Sequence, residues 1–280
     1  MTAGGPIPAC RTAGRFRFAG LAAVILGATV TIGSVAPSRT HGQFRPPEAP
    51  KPPRAAAPID LTGYWVSVVT EDWRFRMIVP DKGDFASVPL NPEGRKVVND
   101  WDPAKDQATG NQCRSYGAAA IMRVPGRLHV SWQDDTTLRI DTDSGSQTRL
   151  LHFGLSPQAE VVPSWQGFSV AEWQGMRGFM NPYMGQHSGG ASPEGYLHVV
   201  TTRMLPGYLR KNGVPYSPNA ILEEYFDSFQ EMNGDTWLVV TTIVKDPQYL
   251  AQPFITSSHF KKLAGASGWD PTVCKSDEPR

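Results

Sequence analysis

Alternation of apolar and polar residues with period two dominates the chain from residue 60 onward. Ile221 to Gln230 and Thr236 to Val244 are two such runs, with Glu231-Met-Asn-Gly-Asp235 between them. Asn-Gly supplies the positive φ of a tight reversal, so the two runs predict a hairpin. A third run, Phe254 to Lys261, follows a crossing marked by Pro247 and Pro253, which cannot donate to a ladder. Upstream, Leu61 to Val69 and Trp73 to Val79 read as opening strands. In the second, Trp73, Phe75, Met77 and Val79 share one face, and Arg74 and Arg76 the other. Arg127 to Gln133 and Thr137 to Asp141 predict another hairpin, and Gln147 to Phe153 and Gly195 to Met204 predict further strands. Asn91 to Trp101 is the best helix pattern: Pro92 and Glu93 suit a first turn, and Val97, Val98 and Trp101 fall on one side. Strand–helix alternation is missing, so the expected class is all-β: an antiparallel meander with one or two short helices, closed as a barrel or stacked as a two-sheet sandwich.

Charge and composition divide the chain further. Arg11, Arg15 and Arg17 precede an uncharged run from Phe18 to Ala36, the pattern of a secretory signal. Cleavage after Gly42, with Thr40 at the −3 position, makes residues 1–42 a signal peptide. Left uncleaved, the same segment would give transient membrane association. Residues 43–58 form a Pro/Ala-rich linker, residues 59–274 a single all-β domain and residues 275–280 a C-terminal tail. The expected location is exported, periplasmic or secreted. Residues 1–42 hold four Arg and no acidic residue, which leaves 23 basic against 26 acidic side chains, a net charge near −3. With no basic cluster nucleic acid is not an expected partner, and with no Gly-rich phosphate loop neither is a nucleotide. Cys113 and Cys274 survive processing, and an even pair in an oxidising compartment predicts one disulfide.

Two resemblances bear on the fold. The opening Asp60-Leu-Thr-Gly-Tyr-Trp65 is similar to the Gly-x-Trp entrance of calycin barrels (lipocalins and avidins), in which the Trp packs across the barrel base. That likeness favours a calycin-like barrel over a sandwich. The chain also resembles an uncharacterised family of exported bacterial proteins, through Gln112-Cys-Arg-Ser-Tyr-Gly117, Ala120-Ile-Met-Arg-Val-Pro125, Gly207-Tyr-Leu-Arg-Lys-Asn-Gly213 and Phe254-Ile-Thr-Ser-Ser-His-Phe260. The resemblance spans most of residues 60–274. It implies the domain limits and export, and no activity.

Candidate chemistry is sparse. No His-x-His, His-Glu-x-x-His or Gly-x-Ser-x-Gly occurs, so no metal, no cofactor and no serine elbow is expected. Asp141-x-Asp143-x-Gly145 lacks the remaining oxygen ligands of a calcium loop and reads as a β-turn. A His beside a carboxylate can act as a general base near neutral pH, which singles out His198 and His259 with Glu223 or Glu224. Arg123 and Arg203 lie within or beside apolar strands and are candidate anchors for a ligand carboxylate. Trp165 and Trp173, in the Gly/Pro/Trp/Met-rich stretch Ser156 to Ser192, are expected at a pocket mouth, with Tyr225 as a further ligand contact. The expected function is an exported binding protein for a small hydrophobic or aromatic molecule. The alternatives are a cofactor-independent isomerase, lyase or hydrolase using a His/carboxylate pair, and an envelope accessory protein.

Overall fold

The computed structural model describes residues 50–155, 161–175 and 195–280. Its strands are β1 (Gly63–Val68), β2 (Arg127–Trp132), β3 (Thr137–Thr142), β4 (Thr148–Phe153), β5 (Phe168–Gln174), β6 (Tyr196–Thr202), β7 (Gly207–Arg210), β8 (Val214–Tyr216), β9 (Ile221–Gln230), β10 (Thr236–Lys245) and β11 (Phe254–Leu263). All but β7 and β8 close into a barrel, in the order β1-β11-β10-β9-β6-β5-β4-β3-β2. The period-two pattern therefore wraps around one interior, and the barrel alternative holds over the sandwich. The expected hairpins are β2–β3 and β9–β10, and β11 pairs with both β10 and β1.

Three local expectations are corrected. The sheet is mixed, because β4 and β5 pair in parallel (Leu151 opposite Ser169), whereas the other barrel ladders are antiparallel. Residues 205–218, whose Gly, Pro and Asn content reads as a loop between strands, instead form the β7–β8 ladder, inserted between the neighbours β6 and β9. The run Trp73 to Val79 is not a strand but a single turn, α1 (Trp73–Arg76). Alternation misleads there because Arg76, read as solvent-facing, is buried at 3% exposure while Trp73 stands 63% exposed. An ion pair between Arg76 and Glu71 outweighs the apolar pattern. The expected helix appears as α2 (Pro92–Asp100), capped by the Asn91 side chain accepting from the Gly94 amide at 2.9 Å. Two further short helices follow, α3 (Pro103–Ala108) and α4 (Ala118–Ile121).

The barrel interior is packed. Trp65, Leu138, Leu151, Leu197, Phe226 and Phe260 are each buried to 1% exposure or less. A second apolar cluster, including Val98, Met204, Leu209 and Leu222, joins one end of the barrel to a cap built from the helices and the β7–β8 ladder. At the opposite end Trp132, Phe153 and Trp173 stack with centroids 5.4–6.5 Å apart, and the Trp173 indole donates to the Pro53 carbonyl at 2.9 Å. The last residues of the expected linker thus stop that end.

The C-terminal tail is likewise tied down. Cys113 and Cys274 are joined by a disulfide with Cα atoms 5.1 Å apart. Beyond it the Lys275 amide donates to the Tyr116 hydroxyl at 3.1 Å, and Arg280 donates to Asp143 at 2.8 Å. Gly145 permits this arrangement: it lies at φ 73°, and a Cβ there would collide with the Tyr116 ring.

One polar device sits inside the barrel near the cap. Arg149 on β4 makes a bidentate pair with Glu224 on β9, at 2.5 and 3.0 Å, with both side chains fully buried. Thr201 on β6 and Ser169 on β5 bond each other at 2.7 Å beside it, so the network crosses four neighbouring strands. Breaking such a pair from one side strands a buried charge, whereas replacing both partners does not. Glu224→Leu should therefore lose about 3–5 kcal/mol in urea unfolding. Arg149→Met combined with Glu224→Leu should recover most of that loss; a double variant no more stable than the single one would mean the charges do not act as a pair.

Candidate functional site

At the capped end a narrow cleft opens to solvent between α1, the segment from Ser115 to Pro125, β7 and Pro279. Its walls carry three guanidiniums, Arg76, Arg123 and Arg210, whose side chains are 1%, 6% and 1% exposed. Two carboxylates face them. Glu71 pairs with Arg76. Asp72 holds Arg123 at 3.1 Å, while its 4.0 Å approach to Arg210 is beyond hydrogen-bond reach. Asp72 adopts φ 49°, a left-handed conformation that Asp tolerates better than most residues, and this places α1 and its arginine directly after the two acids. Backbone carbonyls take part of the remaining donor capacity: Arg76 Nε donates to Arg123 O at 2.8 Å, and Arg210 Nη1 to Ala86 O at 2.7 Å.

The donors are not used up. Arg76 Nη2, Arg123 Nη2, and Arg210 Nε and Nη2 are buried without a hydrogen-bond partner among the described residues. Buried polar groups are ordinarily paired, so four free N–H-bearing nitrogens around one cleft are a departure that needs a cause. Burial lowers Arg76 to about 10, and burial plus repulsion from Arg123 lowers Arg210 to about 10; burial also lowers Arg123. Values near 10 leave Arg76 and Arg210 protonated at neutral pH. Arg74 and Asp84 pair separately at 2.6 Å, so the cleft keeps a surplus of positive charge. Aromatic faces soften the crowding: the Arg210 guanidinium lies 3.9 Å from the Phe75 centroid, and Arg123 lies 5.5 Å from Phe254. Lys211 also lines the cleft. Burial lowers it to about 7, and it donates to the Tyr116 hydroxyl and, at 2.7 Å, to the Glu278 carbonyl.

Of the residues singled out from sequence, Arg123 is the one the structure puts in this cleft. Arg203 is elsewhere, exposed in a left-handed turn at φ 58°. Trp165 and Trp173 do not flank one opening. Trp165 lies before β5, its carbonyl accepting from the Ala118 amide, and Trp173 belongs to the aromatic stop at the far end. Much of the Ser156–Ser192 stretch lies outside the described residues, as does the signal segment. Glu224 points into the barrel to Arg149 and does not meet either histidine.

His198 does meet a carboxylate, but on the outer barrel face. Its Nδ1 lies 3.2 Å from Glu172 and its Nε2 3.1 Å from Glu223. The ring stacks on Tyr225, whose hydroxyl donates to Glu223 at 2.7 Å. His259 is separate, with Nδ1 3.2 Å from Glu71. Sequence reading missed Glu71, Asp72, Arg76, Arg210 and Lys211. Arg76 was hidden by the apparent strand pattern, and Arg210 and Lys211 by a stretch that read as loop. No local pattern marks these five residues as one site, because the fold gathers them from segments far apart in the chain.

Comparison of the chain with protein-family models, with curated proteins and with solved structures gives no match.

The outer cluster makes a pH prediction. Hydrogen bonds from Lys245 first, then Tyr225, lower Glu223 from 4.5 to about 2. A depressed folded-state pKa means this stabilisation is complete above about 4.5 and is lost as the pH falls toward 2. Glu223→Gln should flatten the loss of stability across that window, by at most about 1 kcal/mol because solvent screens these surface charges. The check is unfolding free energy from pH 5 to pH 2; an unchanged slope would show that the cluster is not coupled to folding.

Proposed function

We propose that this chain is an exported binding protein for a small molecule bearing an anionic group, held at the Arg76/Arg123/Arg210 cleft. The carrying observation is the imbalance there: three buried guanidiniums, two carboxylates and four unpaired donor nitrogens. A carboxylate or phosphate is the complementary group, because guanidinium forks bind both with two parallel bonds. The expectation of a small hydrophobic or aromatic ligand with a polar anchor is retained in this reading. Its location changes, since core side chains fill the barrel interior and the anchor Arg123 belongs to the cap. The Cys113–Cys274 bridge supports the exported setting, because such bonds persist in oxidising compartments.

A second reading has one observation in its favour. Glu71 contacts both His259 and Arg76, so a proton-transfer pair adjoins the anion site. Were the protein a cofactor-independent enzyme, His259→Gln would abolish turnover and leave anion binding intact.

Calorimetric titration of the purified protein with acetate, benzoate and inorganic phosphate tests the first reading. At least one should bind and raise Tm by mass action. Arg123→Gln should weaken that anion at least tenfold, and Arg123→Lys should not restore it, because an ammonium lacks the fork. His198→Ala should bind as the parent does. No binding by the parent, or equal binding by Arg123→Gln, removes the assignment.

For export, mass spectrometry of secreted protein should give Gln43 as the N-terminus and a two-proton deficit from the disulfide; a mass that includes residues 1–42 would oppose cleavage.

A further inference from the structure

Beside the arginines the surface turns apolar. Trp73, Met77 and Ile78 are 63%, 50% and 52% exposed, within six residues of one another. Trp73 and Met77 stand one helical turn apart, joined by the Met77 amide donating to the Trp73 carbonyl at 2.8 Å. Ile78 lines the cleft itself, as does Phe75, whose ring faces Arg210. Exposed apolar side chains thus continue from Ile78 at the cleft to its chain neighbour Met77 and, one helical turn back, to Trp73. Scattered exposed apolar residues need no explanation, but a contiguous group against a binding cleft does.

We propose that the ligand is a single-chain anionic amphiphile. Its head group seats on Arg76, Arg123 and Arg210, and its alkyl chain lies along Ile78, Met77 and Trp73. The inference rests on the anion-binding reading and adds the class of molecule. Charge complementarity fixes which end goes where: the guanidinium surplus takes the anion, and the exposed apolar side chains of Ile78, Met77 and Trp73 take the chain. Methionine suits this role, because its unbranched thioether adapts to a flexible chain. Tryptophan supplies a broad face with a polar N–H left in water. The amphiphile is taken as a dissolved monomer and is bound non-covalently, so no bond is made or broken.

The test is a titration series of acetate, butanoate, hexanoate and octanoate, each below its micellar concentration, with octanol as the neutral counterpart. Affinity should rise with length, by up to about fourfold for each methylene covered. Octanol should bind at least tenfold more weakly than octanoate. The double variant Trp73→Ser, Met77→Ser, at positions outside the cleft lining, should bind acetate as the parent does, yet lose most of the gain from butanoate to octanoate. An affinity independent of chain length, or octanoate binding unchanged in the double variant, overturns the proposal while leaving the anion site standing. Failure of acetate and phosphate as well as octanoate removes the anion site too. Two further outcomes overturn the proposal in favour of another occupant. One is a dimer in sedimentation that becomes monomeric with Trp73→Ser, Met77→Ser, which assigns the strip to a second copy. The other is binding to anionic vesicles without binding of monomeric octanoate, which assigns it to a membrane surface.

Discussion

Closing a sheet into a barrel removes its edges but leaves two ends, and each end needs a stop. In this chain the interior offers no relief, because large side chains from Trp65 to Phe260 fill it and the Arg149–Glu224 pair occupies its polar end. At one end three aromatic rings and the Pro53 carbonyl close the core. At the other, α2, α4 and the β7–β8 ladder pack with Leu222, Val244 and Phe254. Ligand chemistry is thereby displaced from the barrel to the layer that seals it. The cap is the larger of the two closures, and the cleft is formed between its own pieces.

Burying three guanidiniums in such a layer is costly, and the surroundings only partly offset the cost. Ion pairs with Glu71 and Asp72, carbonyl bonds and the Phe75 and Phe254 rings hold the groups in place, while four donor nitrogens stay unpaired. A purely structural cap of the same shape would gain stability from apolar residues at these positions. Local rules are commonly broken where a protein binds something, with the rest of the fold sustaining the violation. Here the sustaining parts are the left-handed Asp72, which turns the acids toward the arginines, and the carbonyls of Arg123 and Ala86. An anion would supply the acceptors that the protein withholds.

The barrel was largely legible because its signal is local and repeated. Ile221 to Phe260 alternates so regularly that the β9–β10–β11 ladders and their registers follow from turn chemistry and pleat. The cap was not legible, for the opposite reason. Its residues are ordered by long-range pairing: Arg76 with Arg123 O and Arg210 with Ala86 O join positions 47 and 124 residues apart. Period-two reasoning placed Arg76 in solvent because it has no term for an ion pair that buries a charge. His198 and Glu223 share the outer face of the barrel, whereas adjacent Glu224 points inward to Arg149, and alternation alone leaves open which set faces in. Adjacency in a strand decides the face only after one residue's orientation is known. Arg123 was recoverable because a lone arginine amid Ala120-Ile-Met and Val-Pro125 is conspicuous in itself.

The cleft walls come from segments far apart in the chain, around residues 75–78, 115–125, 209–211 and 279. The Cys113–Cys274 bond joins two of these regions, tying the tail that carries Pro279 to the turn that carries Ser115. Tyr116 reinforces the joint by accepting from both the Lys275 amide and the Lys211 ammonium. Cross-linking residues 161 apart constrains the unfolded chain, by about 5 kcal/mol at most in the entropy model. Its more local consequence is that it fixes one wall of the cleft. In a reducing compartment that wall would depend on a few hydrogen bonds near a chain terminus, where fraying concentrates. The cleft geometry therefore depends on the Cys113–Cys274 bond as well as on the arginines that line it.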